Sequence, residues 1–216
     1  MDDNFKKYKL VFDIGANNGS SAHYLLTQSE KVICFEPNIL LAEQLKLDFK
    51  DKNVIISTKG LSNKVETKTF YISNMGGVLS TFAREWMEQS RFTGKGKWDT
   101  NLTVETTTLD IAIEQYGIPN FIKIDVEGYE YEVFQGLTTL LENTLFGFEW
   151  AEEMFGNVQK IVEYVKQLGY NSFAFTYGDN LKEIEKLQFK DWSELNIHND
   201  IKPQRKTAWG MIYFKK

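Results

Sequence analysis

An α/β fold with a mainly parallel sheet is what the sequence predicts, and three observations predict it. Apolar runs of strand length alternate along the chain with stretches whose apolar residues recur every three or four positions. The first run, at 10–12, passes straight into Asp13-Ile14-Gly15-Ala16-Asn17-Asn18-Gly19 and then a helical pattern at Ala22, Leu25 and Leu26. That is the strand, glycine turn and helix of a nucleotide-binding βαβ unit. Acids close several of the runs, at Asp13, Glu36, Asp125 and Glu149. Ligands of parallel sheets lie beyond the carboxyl ends of the strands, so these four acids are expected on one rim.

The elements follow in order. Residues 31–35 read as a second buried strand ending on Glu36-Pro37, and Pro37 suits a helix start. Leu41, Leu45 and Phe49 then recur on one helical face. A third strand is expected at 53–57, a loop at Gly60-Leu61-Ser62, and an extra strand of alternating character at 68–73. The segment 74–102 is the least regular. It opens with Gly76-Gly77 and sets Phe82, Trp86, Phe92 and Trp98 among Arg84, Arg91, Lys95 and Lys97.

A strand at 102–107 precedes a helical face at Leu109, Ala112, Ile113 and Tyr116, which Gly117 and Pro119 stop. A strand at 121–125 ends on Asp125, and the next helix is expected over 130–143. A strand at 145–150 follows, then a helix marked by Val158, Ile161, Val162, Val165 and Leu168 and closed by Gly169. Two strands, 172–177 and 207–214, finish the chain.

Composition narrows the function classes. With 216 residues and 42% hydrophobic content, the chain is long enough for one well-buried domain. A net charge of −5 argues against a nucleic-acid backbone as partner. The single cysteine, Cys34, can form no internal disulfide and reads as a small buried hydrophobe in a reducing compartment. No apolar run approaches the ~18 residues a membrane span needs. Met1-Asp2-Asp3 has no signal-peptide character, so a cytoplasmic location is expected.

The glycine turn selects the ligand. A dinucleotide site wants G-x-G-x-x-G, with the pyrophosphate on the helix N-terminus. Here Asn17 stands where the second of those glycines belongs, and Asp13 precedes the turn where a pyrophosphate would be repelled. A ligand carrying an amino group and a sulfonium would be attracted instead. Glu36 lies about twenty residues beyond Gly15, where an acid accepts hydrogen bonds from ribose hydroxyls. These features fit S-adenosylmethionine.

The pieces Asp13-Ile14-Gly15-Ala16-Asn17-Asn18-Gly19, Phe35-Glu36-Pro37, Thr107-Thr108-Leu109-Asp110 and Lys123-Ile124-Asp125-Val126-Glu127-Gly128-Tyr129-Glu130 resemble the FkbM family of class I S-adenosylmethionine-dependent methyltransferases. The last piece is the most distinctive, and four in this order make the signal specific. The resemblance implies a Rossmann-like class I methyltransferase fold: a mostly parallel seven-stranded sheet, helices on both faces, and an antiparallel last strand. It implies one methyltransferase domain over 1–216, acting on a small-molecule hydroxyl, often of a sugar or glycosylated metabolite. It carries Asp13, Gly15, Asn17 and Gly19 onto the methionine end of the cofactor, Glu36 onto the ribose, and Asp125 onto the strand end beside the reacting methyl. Gly60, Leu61 and Ser62 fall at the adenine edge. The helices that usually precede the first strand in this fold have no room before Leu10. Segment 74–102 or a partner chain, such as a second copy, is therefore expected to supply the cover.

Methyl transfer of this kind is a direct displacement, so positioning carries much of the catalysis. What remains is removal of the hydroxyl proton, for which Asp125 and Glu127 are the candidates and His198 an outsider. The plainer alternative is that one acid in Asp125-Val126-Glu127-Gly128 only accepts bonds from helix-start amides. The acids on the rim leave room for a divalent metal, but no tight ligand spacing demands one. His23 reads as an exposed helix residue. The aromatics and arginines of 74–102 either stack on an acceptor and pair its acidic group, or form a packed excursion over the sheet. A nicotinamide-dependent oxidoreductase is disfavoured by Asp13 and Asn17. A non-catalytic module that keeps the cofactor pocket is disfavoured by the intact motifs. An RNA-methylating enzyme is weakened by the acidic charge. The N-P-P-Y-like tetrad of many amino-methylating enzymes is missing after Ile124, where the resemblance favours oxygen as the target.

Overall fold

A computed structural model describes residues 7–75, 77–195 and 208–216. The chain forms strand β1 (Tyr8–Ile14), helix α1 (Ser20–Gln28), β2 (Ser29–Phe35), α2 (Ile39–Asp48), β3 (Val54–Ser57), β4 (Gly60–Leu61) and β5 (Thr67–Ile72). Then come α3 (Arg84–Gln89), β6 (Thr100–Thr107), α4 (Leu109–Tyr116), β7 (Phe121–Ile124), α5 (Glu130–Gln135) and β8 (Leu145–Ala151). It closes with α6 (Phe155–Leu168), β9 (Ser172–Tyr177), β10 (Lys190–Asp191) and β11 (Trp209–Lys215).

The main sheet has the order β10-β9-β11-β8-β7-β1-β2-β3. Its centre is parallel, with β1 between β2 and β7 and β8 beyond β7. The last strand runs antiparallel to both β8 and β9, as the resemblance implies. The seven expected strands are joined by an eighth, the two-residue β10 paired to β9. The strands expected at 68–73 and 102–107 leave this sheet. They pair with each other as β5 and β6, and β4 adds to β6 in a second, three-stranded sheet. Gly60-Leu61, expected as loop, thus acquires strand pairing from a partner far away in sequence.

The central strands are buried on both faces, the mark of a parallel sheet. Phe12, Ile33 and Ile122 point into the larger core with α4, α5 and α6. Their neighbours Val11, Val32 and Phe121 point into the core under α1 and α2. In α6, Val158, Ile161, Val162 and Val165 form the buried stripe, each side chain contributing about 1.5–3 kcal/mol. Gly169 then ends the helix in the left-handed region at φ 104°. Helix α2 starts at Ile39, two residues later than Pro37 suggests: Asn38 caps it by accepting from the Leu40 amide at 3.1 Å.

The helix expected over 130–143 stops at Gln135. A side chain at Gly136 would overlap the Ser62 carbonyl, and the Gly136 carbonyl accepts from the Asp110 amide at 3.0 Å. Asp110 then accepts from the Thr138 amide and hydroxyl. The chain continues as a crossing segment that still buries Leu137 and Leu141. No helix among the described residues is long and apolar enough to cross a membrane.

Candidate active site

The ends of β1, β2 and β7 meet at one cleft. Gly15 and Ala16 donate their amides to the Phe35 carbonyl at 3.0 and 3.2 Å, tying the glycine turn to the end of β2. Gly15 sits at φ 80°, and a side chain there would overlap the Asp125 carbonyl. Only a glycine permits both the conformation and the approach. Gly19 works differently: an added Cβ would stand 2.6 Å from Leu45 of α2, so this glycine lets the two helices close together.

Glu36 is buried at the end of β2. One carboxylate oxygen accepts from the Asn17 amide at 2.7 Å and the other from the Asn38 amide at 2.8 Å. Each oxygen keeps acceptor capacity toward the cleft it lines. Burial pushes this carboxyl up to about 7 against the pull of the two amides.

Behind the cleft lies a buried ion triad. Lys123 Nζ is 3.5 Å from Asp13 Oδ1 and donates to Asp125 Oδ2 at 3.0 Å. The side chains of Asp13 and Lys123 are 0% and 3% exposed, whereas Asp125 is 24% exposed. Burial opposes the charge on Lys123, but Asp125 and Asp13 outweigh it and hold the ammonium above its ordinary value. Burial raises Asp13, with Lys123 pulling the other way.

The segment after β7 makes the second half of the cleft. Glu127 adopts φ 55° and Gly128 φ 87°. A left-handed glutamate is uncommon and needs its surroundings to hold it. The holding comes from Thr81, whose hydroxyl donates to the Glu127 carbonyl at 2.7 Å, and from Trp86, packed against Gly128. The helix-start amides of Val126 and Gly128 are taken by Glu130, at 3.0 and 3.2 Å. The capping role therefore falls on Glu130, which burial pushes up to about 7, and Glu127 is left facing the cleft.

Glu149, at the end of β8, joins Asp125 and Glu127: ligand oxygens of the three carboxylates lie within 4.8 Å of one another. Burial, and then Asp125, raise both glutamates well above the ordinary carboxylate range. Three oxygens so close form a donor set for a hard divalent cation, and protonation relieves the same repulsion. The sequence spacing alone demanded no metal, because Glu149 comes from a neighbouring strand.

Of the residues picked out from the sequence, Gly15, Asn17, Glu36, Leu61, Asp125 and Glu127 line the cleft. Asp13 lies beneath it in the ion triad, Gly19 packs between helices, and Ser62 is buried with its hydroxyl 3.0 Å from that of Tyr129. His198 lies outside the described residues, as does Gly76. Segment 74–102 divides: Phe82 lines the cleft together with Val78, Ser80 and Phe70 of β5. Trp86 and Leu79 instead form a packed cluster with Met154, joined by Phe92 and Trp98. None of Arg84, Arg91, Lys95 and Lys97 lines the cleft, and Arg91 pairs with Glu153 at 3.4 Å. The sequence reading passed over Lys59, Lys123 and Asp179, which do line it. Only Lys123 carried a signal, as a lone cation inside an apolar strand.

A sequence profile of the methyltransferase FkbM domain matches residues 13–172, from the acid of the first turn to the start of β9. The chain belongs to the FkbM methyltransferase family. Among its relatives is the hexuronic acid methyltransferase AglP of Haloferax volcanii, 28% identical over 141 residues, 63% of this chain and 53% of that protein. The solved structure of a methyltransferase FkbM from Methylobacillus flagellatus KT shares the fold, with a TM-score of 0.56 at 13% identity over 97% of this chain and 44% of that one. A precorrin-6y C5,15-methyltransferase from Geobacter metallireducens GS-15 aligns over 98% of this chain and 83% of its own, at 12% identity and a TM-score of 0.49. The chain spans about half the length of AglP and of the Methylobacillus protein.

Proposed function

We propose that this FkbM-family chain is an S-adenosylmethionine-dependent O-methyltransferase acting on a hydroxyl of a small, sugar-like acceptor. The observation that carries the reading is the single cleft joining the buried Glu36 carboxylate, the Gly15 turn and the partly exposed Asp125 and Glu127. The residues fit such a cofactor. Glu36 has acceptor capacity for two ribose hydroxyls, Asn17 keeps a buried side-chain oxygen with no partner among the described residues, and Gly15 lets the turn lie directly against the Asp125 carbonyl at the end of β7. Leu61 and Phe82 offer apolar surface for a purine on the β4 side of the cleft.

Bound there, S-adenosylmethionine supplies an electrophilic methyl carbon on a sulfonium, and the acceptor oxygen displaces neutral sulfur. The chain's own work is to hold, orient and deprotonate. Asp125, fixed by Lys123, adds negative charge beside the glycine turn. Glu127 is our choice for the base that takes the acceptor's hydroxyl proton. The helix-start amides are already taken by Glu130, which leaves the Glu127 carboxylate free toward the cleft, where burial raises its affinity for protons. Segment 74–102 serves as the lid, anchored through Thr81 to the Glu127 carbonyl.

The AglP relative acts on a hexuronic acid, so glucuronic and galacturonic acid and their glycosides are the first acceptors to try. Incubation with methyl-labelled S-adenosylmethionine should give a labelled methyl ether and S-adenosylhomocysteine in equal amounts. S-adenosylhomocysteine formed without label in the sugar would refute the sugar acceptor.

A further inference from the structure

Asp179 is exposed, lines the same cleft as Asn18, Ser20 and Ser21, and has no cation within ion-pair distance among the described residues. It lies beyond the part of the chain that the family profile covers.

The chain pins Asp179 from both sides. Gly178 donates its amide to the Trp209 carbonyl at 3.0 Å and forms a parallel bridge to Gly210. A side chain at Gly210 would overlap the Thr176 carbonyl, so the two backbones meet as closely as glycine allows. On the other side Asn180 caps a 3-10 turn, Leu181–Lys186, accepting from the Lys182 amide at 3.2 Å. Leu181 and Ile184 of that turn are buried in the core that also holds Leu25 of α1. The turn thus packs beside the later part of α1, near Leu25 and Gln28, and Asp179 just ahead of it lines the cleft with Ser20 and Ser21 at the start of that helix.

The other acids of the cleft are engaged. Glu36 holds two amides, Asp125 holds Lys123, and Glu127 is the proposed base. An amino-acid zwitterion at this end of the cleft needs an anion for its ammonium and a positive end for its carboxylate. The first turn of α1 supplies the second. We infer that Asp179 binds the α-ammonium of the cofactor's amino-acid end, so that the turn after β9 selects ligands carrying that group. The inference rests on the S-adenosylmethionine reading above.

Titration of the full chain with S-adenosylhomocysteine and with 5′-methylthioadenosine, which lacks the amino-acid end, tests it. Asp179→Asn should weaken S-adenosylhomocysteine about tenfold, the loss of one charge-assisted bond, and leave methylthioadenosine within twofold. Asp179→Glu should recover most of the loss. Unchanged S-adenosylhomocysteine affinity, or an equal fall for both ligands, would overturn the inference while the cofactor reading stands. Failure of the unaltered chain to bind either ligand would overturn both.

Discussion

Replacing Lys123 with methionine tests the buried ion triad. Lys123 and Asp13 have side chains 3% and 0% exposed, and the single ammonium faces two carboxylates. Lys123→Met keeps the apolar volume of the stem and removes the charge, leaving Asp13 buried with no cation. Breaking such a pair from one side costs about 3–5 kcal/mol, a large share of the ~5–15 kcal/mol that holds a domain together. Asp125 loses the same partner but is 24% exposed, so water compensates much of its loss. The deficit should depend on pH. Without Lys123, the folded-state pKa of Asp13 is raised further above its unfolded value of 3.8. Stability in the variant is then retained below that value and lost as pH rises toward the folded pKa, at about 1.4 kcal/mol per unit. Urea unfolding at pH 4, 5.5 and 7 reads this directly. Adding Asp13→Asn should recover most of the loss at pH 7, because the stranded charge is gone. A single variant within 1 kcal/mol of the parent, or a double variant no better than the single, would refute the triad.

Other outcomes follow from the same geometry. Glu36→Gln should weaken S-adenosylmethionine binding by about 1–3 kcal/mol, and unchanged affinity in a calorimetric titration would move the ribose elsewhere. Glu127→Gln should lower kcat by roughly 10²–10⁴-fold with cofactor affinity retained; full turnover would free Glu127 of the base role. Glu36 and Glu130 both sit at about 7 in the fold against 4.5 for the free group. Their stabilising contribution is present below 4.5 and lost as pH rises through 7, about 3 kcal/mol each. Urea midpoints should therefore fall between pH 5 and 7.5, and a rise would mean that the amide bonds keep both carboxylates ionised.

Much of the framework was legible because it is local. The first turn, the Glu36 strand end and the Asp125 strand end announce themselves through apolar runs that stop at an acid, and the sheet gathers them as expected. Glu130 was harder: its capping bonds run backwards to Val126 and Gly128, so the acid that satisfies the helix start lies past the motif where it was sought. The length of α5 depends on Gly136 meeting Ser62, a contact no periodicity encodes. The second sheet is similar, since β5 and β6 look like strands but nothing local names their partner. Glu149 was legible as a strand-end acid and meets Asp125 and Glu127 as the rim argument expects. Asp179 was hidden for a third reason: it is one acid among many, and only the turn after β9 brings it to the cleft.

We propose the cleft between β1, β2 and β7 as a site for S-adenosylmethionine and not for a dinucleotide. Parallel calorimetric titrations with S-adenosylmethionine, S-adenosylhomocysteine and NAD test it most directly. The first two should bind at roughly micromolar Kd, about −8 kcal/mol, and NAD should give no heat. Binding of NAD at comparable strength, or of none of the three, would contradict it.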